Sequence, residues 1–505
     1  MKSQIQLYKL PIYLFIGLLA LMLVLSACSN KSSKEGEDKE KKYKISILTE
    51  YHTAEPPTKD NPITKEFEKR TNTELDILWT SPNTFDEKIS VTLASGNIPD
   101  LMKLPDVTHP NFQELVKKGV FWDLTPYIQD YPNLMEYPEQ TWKATSVDGK
   151  NYVIPSVRPL EGASSLPAVR KDWLDNLEMD VPESMDDLFE VLKSFTNDDP
   201  DGNGKDDTIG YSARGFAWVY DTFTNSNGKW KLADGELIDA TLEPGTKNAL
   251  IWLQKVYDEG LMPKDFAVMQ QSQSEDLAKG GIAGVSSDTV EGIYRSTMEA
   301  EKIDPKADFL PLSWLMNDEG EKYVGQSKGY SFVYAIPKTV PEDKMKRILE
   351  LMDYGASEEG FELACYGLEE IHFTVDENGF KTATEQALKD SVAQASFGKI
   401  FERSDPYLWA YRTGMPKEIF ERNKGIIDER SKVSLSNLSI GIISETYNKY
   451  GTEFEKKIED LKVKVIMGKE PIEAWDRFVN ELKSDDNYQK IIEEMNIGYR
   501  EKYGN

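Results

Sequence analysis

The 505-residue chain reads as an α/β protein, and three observations lead there. Lys44–Leu48 (KISIL) is a strand candidate, and Leu75, Ile77 and Trp79 alternate with polar residues as a half-buried strand does. Apolar residues recur four apart at Ile63 and Phe67, and again at Phe85, Ile89 and Leu93, which is helical spacing. A third strand, Asp100–Leu104, follows Pro99. The order strand, helix, strand, helix, strand predicts a parallel sheet with helices on its faces.

Each element has a local cause. Asn61 can cap a helix whose first position is Pro62, since proline has no N–H to leave unsatisfied there. Gly96 stops the next helix because it tolerates a left-handed conformation. Ligands of parallel sheets meet the loops at the strands' carboxyl ends. Glu50, Tyr51, Trp79, Thr80 and the Ser95–Asn97 loop are therefore placed to face one.

Before this body lies a different kind of sequence. Lys2 and Lys9 precede Pro11–Leu25, an almost wholly apolar run, and Leu25-Ser26-Ala27-Cys28 follows. A basic end, a short apolar run and small residues make a secretory leader over residues 1–27; a plain N-terminal membrane anchor is the other reading. Leu-Ser-Ala-Cys resembles a bacterial lipobox, which implies cleavage before Cys28 and lipidation of its thiol. Residues 28–42 have no apolar residue beyond that cysteine and carry dense mixed charge, as expected of a disordered tether.

Further along, Ser184 and Asp187 form a capping pair ahead of the stripe Met185, Leu188, Phe189, Leu192 and Phe195. That helix leads into Asn197–Thr208. Asp199, Asp201, Asn203 and Asp207 occupy positions 1, 3, 5 and 9 of a calcium loop (199–210), Gly204 takes the sixth, and Lys205 offers its carbonyl at the seventh. Position 12, where an EF-hand has a bidentate Glu, is Gly210. A solvated Asp/Gly/Asn turn is the competing interpretation.

A helix through Ala249, Leu250, Leu253, Val256 and Tyr257 stops at Gly260. Gly281–Val285 then reads as a buried strand running into Ser286-Ser287. Asp308–Leu312 and Gly329–Ile336 read as strands, Pro341–Tyr354 as a helix, and the tail as helical over Phe454–Met467 and Ile472–Leu482.

The net charge of −27 argues against nucleic acid or anionic lipid as the main partner. Two cysteines and three scattered histidines give neither a disulfide framework nor a zinc signature. The chain has no P-loop, no G-x-S-x-G and no G-x-G-x-x-G.

Three segments together, Leu93–Asp100 (LASGNIPD), Gly119–Ile128 (GVFWDLTPYI) and Asp148–Pro155 (DGKNYVIP), resemble extracellular solute-binding proteins of family 1, the receptor subunits of ABC importers. Val169–Leu174 through the Asp199–Asp207 loop resembles the subgroup of long oligosaccharide-receptor lipoproteins, near the alginate-oligosaccharide receptors. The resemblance runs from about Lys44 to the C-terminus. It implies a periplasmic-binding-protein-like type II fold, a monomer whose two lobes hold the ligand between them. The first lobe is expected at 43–158 and 314–366, the second at 159–313 and 367–505. The calcium would be a structural staple away from the sugar.

Sugar sites combine flat aromatics with fixed hydrogen-bonding groups. Trp79, Trp218 and Trp409 are expected as stacking platforms, Arg158 and Arg170 as polar clamps, and Ser286, Ser287 and Tyr330 as further ligand contacts. The expected activity is capture of an oligosaccharide for a membrane permease, with no chemistry on it. A surface glycoside hydrolase or lyase using Glu50, Glu369 or Glu370 is one alternative. A calcium-dependent adhesin is another, and the sequence does not name the solute.

Overall fold

The computed structural model describes residues 42–53, 55–162, 166–377, 379–393, 395–412 and 414–504. The leader, Cys28 and the tether up to residue 41 lie outside them. In chain order the strands begin with β1 (Tyr43–Glu50), β2 (Thr73–Thr80), β3 (Leu101–Leu104) and β4 (Val153–Val157). There follow β5 (Pro167–Arg170), β6 (Ile209–Tyr211), the hairpin β7 (Trp230–Ala233) and β8 (Glu236–Asp239), and β9 (Ala283–Ser287). β10 (Phe309–Pro311), β11 (Val324–Gly325) and β12 (Tyr330–Ala335) come next.

Two sheets organise the body. The first has the order β2-β1-β3-β12-β4, the second β10-β5-β9-β6. β1 and β3 are parallel, as expected, but β12 lies antiparallel between β3 and β4. Topology requires this. β4 leaves the first lobe at the edge where β1 and β3 also end, and a strand returning through that edge must run the opposite way. The second sheet mirrors the arrangement. β6 and β9 run parallel, whereas β5, the strand that enters this lobe, is antiparallel to β9. Its register sets Pro167 against Ser287 and Val169 against Val285, so Arg170 lies at the edge away from the ends of β6 and β9.

Local signals behave as the sequence predicts. Asn61 Oδ1 accepts from Ile63 N at 2.9 Å ahead of the helix Pro62–Thr71. Gly96 ends Phe85–Ser95 at φ 72°. Ser184 and Asp187 form a reciprocal capping box on Met185–Asn197, a device worth about 1 kcal/mol. That helix buries Leu188, Phe189, Leu192 and Phe195 against Trp173, Leu250 and Leu253 in the second lobe's core. The tail is helical over Glu445–Ile466, Ile472–Ser484 and Asp486–Tyr503.

The crossings fall elsewhere than 314 and 367. Leu315 and Val324 still belong to the second lobe's core. The return comes at 326–329, where Ser327 N donates to Leu160 O and Arg158 N to Gly329 O. Residues 390–393 and 395–402 remain with the first lobe. Asn61 Nδ2 donates to Asp390 O, Tyr334 OH to Lys399 O and Tyr137 OH to Glu402 O, while Phe401 stacks on Phe67 at 4.1 Å. Gly329 (φ 78°) sits in the return crossing, but a single glycine does not say that the chain changes lobe there, which is why local reading misplaces both. Glu161 ties the crossings together, its Oε1 accepting from Gln326 Nε2 and Ser434 Oγ, each at 2.8 Å.

Candidate functional site

The ends of β1, β3 and β4 and the start of β12 put a cluster of charge on one edge of the first sheet. Glu50, the last residue of β1, accepts from Lys103 Nζ in β3, and His52 Nε2 lies 3.0 Å from the same oxygen. Lys103 is 2% exposed and its ammonium sits 3.4 Å from the centre of the Phe332 ring. Burial pulls its pKa down to about 8, with Glu50 offsetting only part of that. Burial pushes the Glu50 carboxyl up, but Lys103 and His52 outweigh it and hold it below the usual carboxylate range.

Arg158 follows β4. Its Nη1 donates to Val157 O at 2.8 Å and lies 2.5 Å from Glu402 Oε1, while Ser156 Oγ donates to Glu402 Oε2. Lys399 completes the group and is partly exposed. Burial and then Arg158 lower its pKa, with Glu402 and Glu50 opposing. Trp79, at the end of β2, meets Phe397 edge-on at 5.5 Å, and Tyr51 N bonds Thr80 O. At the other side Tyr330 OH and Lys328 Nζ both donate to Asp106 Oδ2 at 3.0 Å.

On the second sheet the ends of β6 and β9 form a tied polar edge. Ser212 Oγ donates to Ser286 Oγ at 3.1 Å, Ser287 Oγ donates to Arg214 O, and Arg214 pairs with Asp288 at 2.6 Å and Glu275 at 3.0 Å. Ser286 and Ser287 are thus buried braces for the Arg214–Asp288 pair. A cavity of about 410 Å³ is walled by Phe361, Cys365 and Tyr366 on one side and by Glu291, Trp409 and Arg412 on the other. The Trp409 ring lines this cavity, while its indole N–H is turned into the protein with no hydrogen-bond partner among the described residues.

The structure therefore brings Glu50, Tyr51, Trp79, Arg158 and Tyr330 to one edge, and sets Ser286 and Ser287 at the corresponding edge of the second sheet. Two expectations fail. Trp218 is 5% exposed in the second lobe's core, where its Nε1 donates to Tyr211 OH and its ring packs edge-on against Trp252. Arg170 is 1% exposed. It is held by Asp172 and Asp304 and stacked 4.6 Å from Trp173, on the far side of its sheet. Neither can act as platform or clamp. Lys103, Lys399 and Glu402 were missed by the sequence reading. A lysine inside the four-residue buried strand LMKL was the one signal available for them.

The carboxylates of the hydrolase alternative do not flank a cleft. Glu369 and Glu370 are exposed. Glu50 is held ionised, the wrong state for a general acid.

In the loop at 199–207, Asn203 Nδ2 donates to Asp201 Oδ2 at 2.6 Å and to Asp207 Oδ1 at 3.1 Å, while Gly204 N donates to Asp199 Oδ2 at 3.0 Å. Burial, and then the neighbouring carboxylates Asp199 and Asp207, raise the Asp201 pKa, with the Asn203 amide opposing. The set is hard-oxygen in character, but among the described residues no three acidic, His or Cys side chains form a ready metal cage. Asn203 stands between the carboxylates instead. The missing twelfth ligand has a steric reason. A Cβ on Gly210 would lie 2.4 Å from Leu192 O and 2.8 Å from Leu192 Cα, because β6 packs directly on the helix Met185–Asn197.

Two sheets joined by repeated crossings, each with a polar edge, and a cavity lined by residues of both lobes define a two-lobed solute receptor. The chain belongs to the bacterial extracellular solute-binding protein family, which it matches over residues 50–360. It is similar to the polygalacturonan/rhamnogalacturonan-binding protein YtcQ of Bacillus subtilis, with 31% identity over 98% of this chain and 99% of that one. Its fold resembles an HMO-binding, ABC-transporter-associated solute-binding protein of Bifidobacterium longum infantis (TM-score 0.71, 18% identity, 91% of this chain and 99% of that one). It also resembles the alginate-binding protein AlgQ2 crystallised without calcium (TM-score 0.65, 19% identity, 91% and 98%).

Proposed function

We propose that this solute-binding protein is a lipid-anchored receptor that captures an oligosaccharide by closure of its two lobes and delivers it to the permease of an ABC importer. The observation that carries the reading is the cavity walled by aromatic rings from both lobes, with the charged Glu291 and Arg412 beside them. Flat rings suit the C–H faces of sugars, and charged side chains suit their hydroxyls. The full-length similarity to a polygalacturonan-binding protein supports the same class of solute. Burying ligand between lobes favours the closed state by the contacts it adds there. No reaction on the ligand is part of this reading. A thermal-shift screen over neutral and acidic oligosaccharides tests it, since a ligand of the folded state alone raises the melting temperature. A panel with no shift, or cleavage of the saccharides at enzyme-like rates, would overturn it.

The lipobox-like Leu25–Cys28 supports anchoring through acyl chains on Cys28, two of which suffice for stable attachment. Substituting Cys28→Ser is expected to release the protein from the membrane fraction.

The loop at 199–207 is proposed as a structural calcium site. Asp199, Asp201, Asn203 through its amide oxygen, the Lys205 carbonyl and Asp207 would hold the ion, which would supply positive charge between carboxylates that now repel. Turning the Asn203 amide would replace its NH₂ with that charge. With no ligand at position 12, affinity should lie at the weak end, roughly 10⁻⁴–10⁻³ M. A chelator is expected to lower the melting temperature while saturating ligand binding survives below it. An unchanged melting curve would remove the staple.

A further inference from the structure

A second cavity, also of about 410 Å³, opens at the carboxyl ends of β6 and β9 in the second lobe. Arg214 and Ser287 lie on its polar side, Phe266 and Met269 on its apolar side. The loop that carries Arg214 is held against a backbone cost. Ala213 takes φ 58°, a left-handed conformation that a residue with a side chain adopts at a penalty, and Gly215 follows at φ 70°. Tyr211 OH donates to Arg214 O at 3.2 Å, and Ser287 Oγ donates to the same carbonyl. The guanidinium is pinned as well, by Asp288 at 2.6 Å and Glu275 at 3.0 Å. A guanidinium has five N–H donors, and these two contacts do not exhaust them.

A row of ion pairs along the start of the helix Val290–Ala300 joins this cavity to the interlobe one. From Arg214 it passes to Asp288, whose Oδ2 lies 3.6 Å from Arg295 Nη2. Arg295 Nε lies 3.8 Å from Glu291 Oε2, and Arg412 donates to Glu291 Oε1. Arg214 lines the second cavity; Glu291 and Arg412 line the interlobe one. The local sequence makes room for this row. A Cβ on Gly292 would lie 2.2 Å from Asp288 Cγ, so only glycine lets that carboxylate fold back over the helix. Thr289 N holds Asp288 Oδ1 at 2.7 Å, which leaves Oδ2 for Arg214. The Arg295 contacts are too long for hydrogen bonds, and its exposed side chain keeps N–H donors for a ligand. Planar charged groups that fix one another in place suit sugar hydroxyls, which need donors and acceptors at set positions.

We propose that the cavity between Arg214 and Phe266 is a second saccharide subsite, and that the row from Arg214 to Arg412 is the track between the two cavities. The receptor then selects a linear oligosaccharide long enough to occupy both. The inference rests on the oligosaccharide reading above and adds a minimum length to it. One sugar ring lies against Phe266 and Met269, whose apolar surfaces suit its C–H face, with its hydroxyls on Arg214. The units between the cavities meet Arg295 and the paired carboxylates. A monosaccharide or disaccharide in one cavity leaves the other unfilled and forgoes those contacts.

The test is a chain-length series of galacturonate oligomers, from dimer to pentamer, measured by calorimetry on the unmodified protein. Affinity is expected to rise by about tenfold or more from dimer to tetramer, the scale of one charge-assisted hydrogen bond, and then to level off. Ala217 is exposed and borders the second cavity, so Ala217→Trp puts a ring into it from the surface. That variant should bind the tetramer no more tightly than the dimer. Equal binding of dimer and tetramer by the unmodified protein, or a length gain that survives Ala217→Trp, would overturn the subsite and leave the oligosaccharide reading standing. Absence of binding at every length would also overturn the subsite, and the oligosaccharide reading falls with it only if the whole saccharide panel gives no melting shift. The length series needs no variant, so a misfolded mutant does not shield the idea.

Discussion

Arg158 and Arg170 sit twelve positions apart, one after β4 and the other at the end of β5. Both are almost wholly buried and both are ion-paired, Arg158 with Glu402 and Arg170 with Asp172 and Asp304. Yet they serve opposite ends of the molecule. β4 ends at the edge facing the interlobe space, so Arg158 joins Lys103, Glu50 and Lys399 there. β5 enters its lobe from that space and runs away from it, so Arg170 finishes at the outer edge. The rule that ligands gather at carboxyl ends holds for the parallel strands and reverses for an entering antiparallel one. One region keeps part of its charge open at the edge facing the other lobe; the other closes it almost completely.

The sharpest way to break this contrast is Arg170→Met. Removing one partner of a buried ion pair leaves Asp172 uncompensated, so a loss of about 3–5 kcal/mol is expected in denaturant unfolding. Ligand affinity measured below the melting transition should stay within about twofold, because the site is distant. A large affinity loss in the folded variant would place Arg170 in the site after all.

Arg158→Met should separate the two ends. It strands the Glu402 carboxylate and is expected to destabilise by about 2–4 kcal/mol. Unlike the first variant, it is expected to weaken saccharide binding as well, by about tenfold or more, because it removes a donor from the edge that faces the interlobe space. Calorimetry and a melting curve on the same sample distinguish the two contributions. Unchanged affinity would reduce Arg158 to a structural pair like Arg170.

The smallest effect concerns a half-buried carboxyl outside either ion pair. Asp221 accepts from Gly228 N at 3.0 Å. Burial pushes its carboxyl up to about 7, with the Gly228 amide and Lys462 offsetting part of the cost. The folded form therefore holds a proton that the unfolded chain, near the ordinary 3.8, releases first. Below about pH 4 both states are protonated and the group is neutral for stability. Between about 4 and 7 its contribution falls as pH rises, and above 7 the cost is complete. Asp221→Asn should thus leave melting near pH 4 unchanged and raise it by roughly 2 °C or more at pH 8. A gain that is equal at both pH values would refute the buried carboxyl.

Much of this was legible in the chain itself, for identifiable reasons. Caps are local: Asn61, Ser184 with Asp187, and Gly96 do their work within three residues, so their helices start and stop where the sequence predicts. The βαβαβ opening followed from periodicity, and the receptor family from segments spread between Leu93 and Pro155. Trp218 was misplaced because composition near loops does not say which side of a helix faces the core; its ring is locked among Tyr211 and Trp252. Lys399 was invisible because, Glu402 apart, the charged groups around it (Glu50, Lys103 and Arg158) lie more than 240 residues earlier.

By itself the sequence determined which segments form strands and helices, where the helices end, and that the protein belongs among the extracellular solute receptors, since each depends on neighbours within a few turns or on recognisable local runs. Only the tertiary structure decided the direction of β5 and β12, the points where the chain changes lobes, and which buried cations find carboxylates. Those outcomes depend on which elements pack together across hundreds of residues. The βαβ edge that first suggested a ligand site is an edge of the first sheet, and what it holds was settled by strands that the sequence could not bring together.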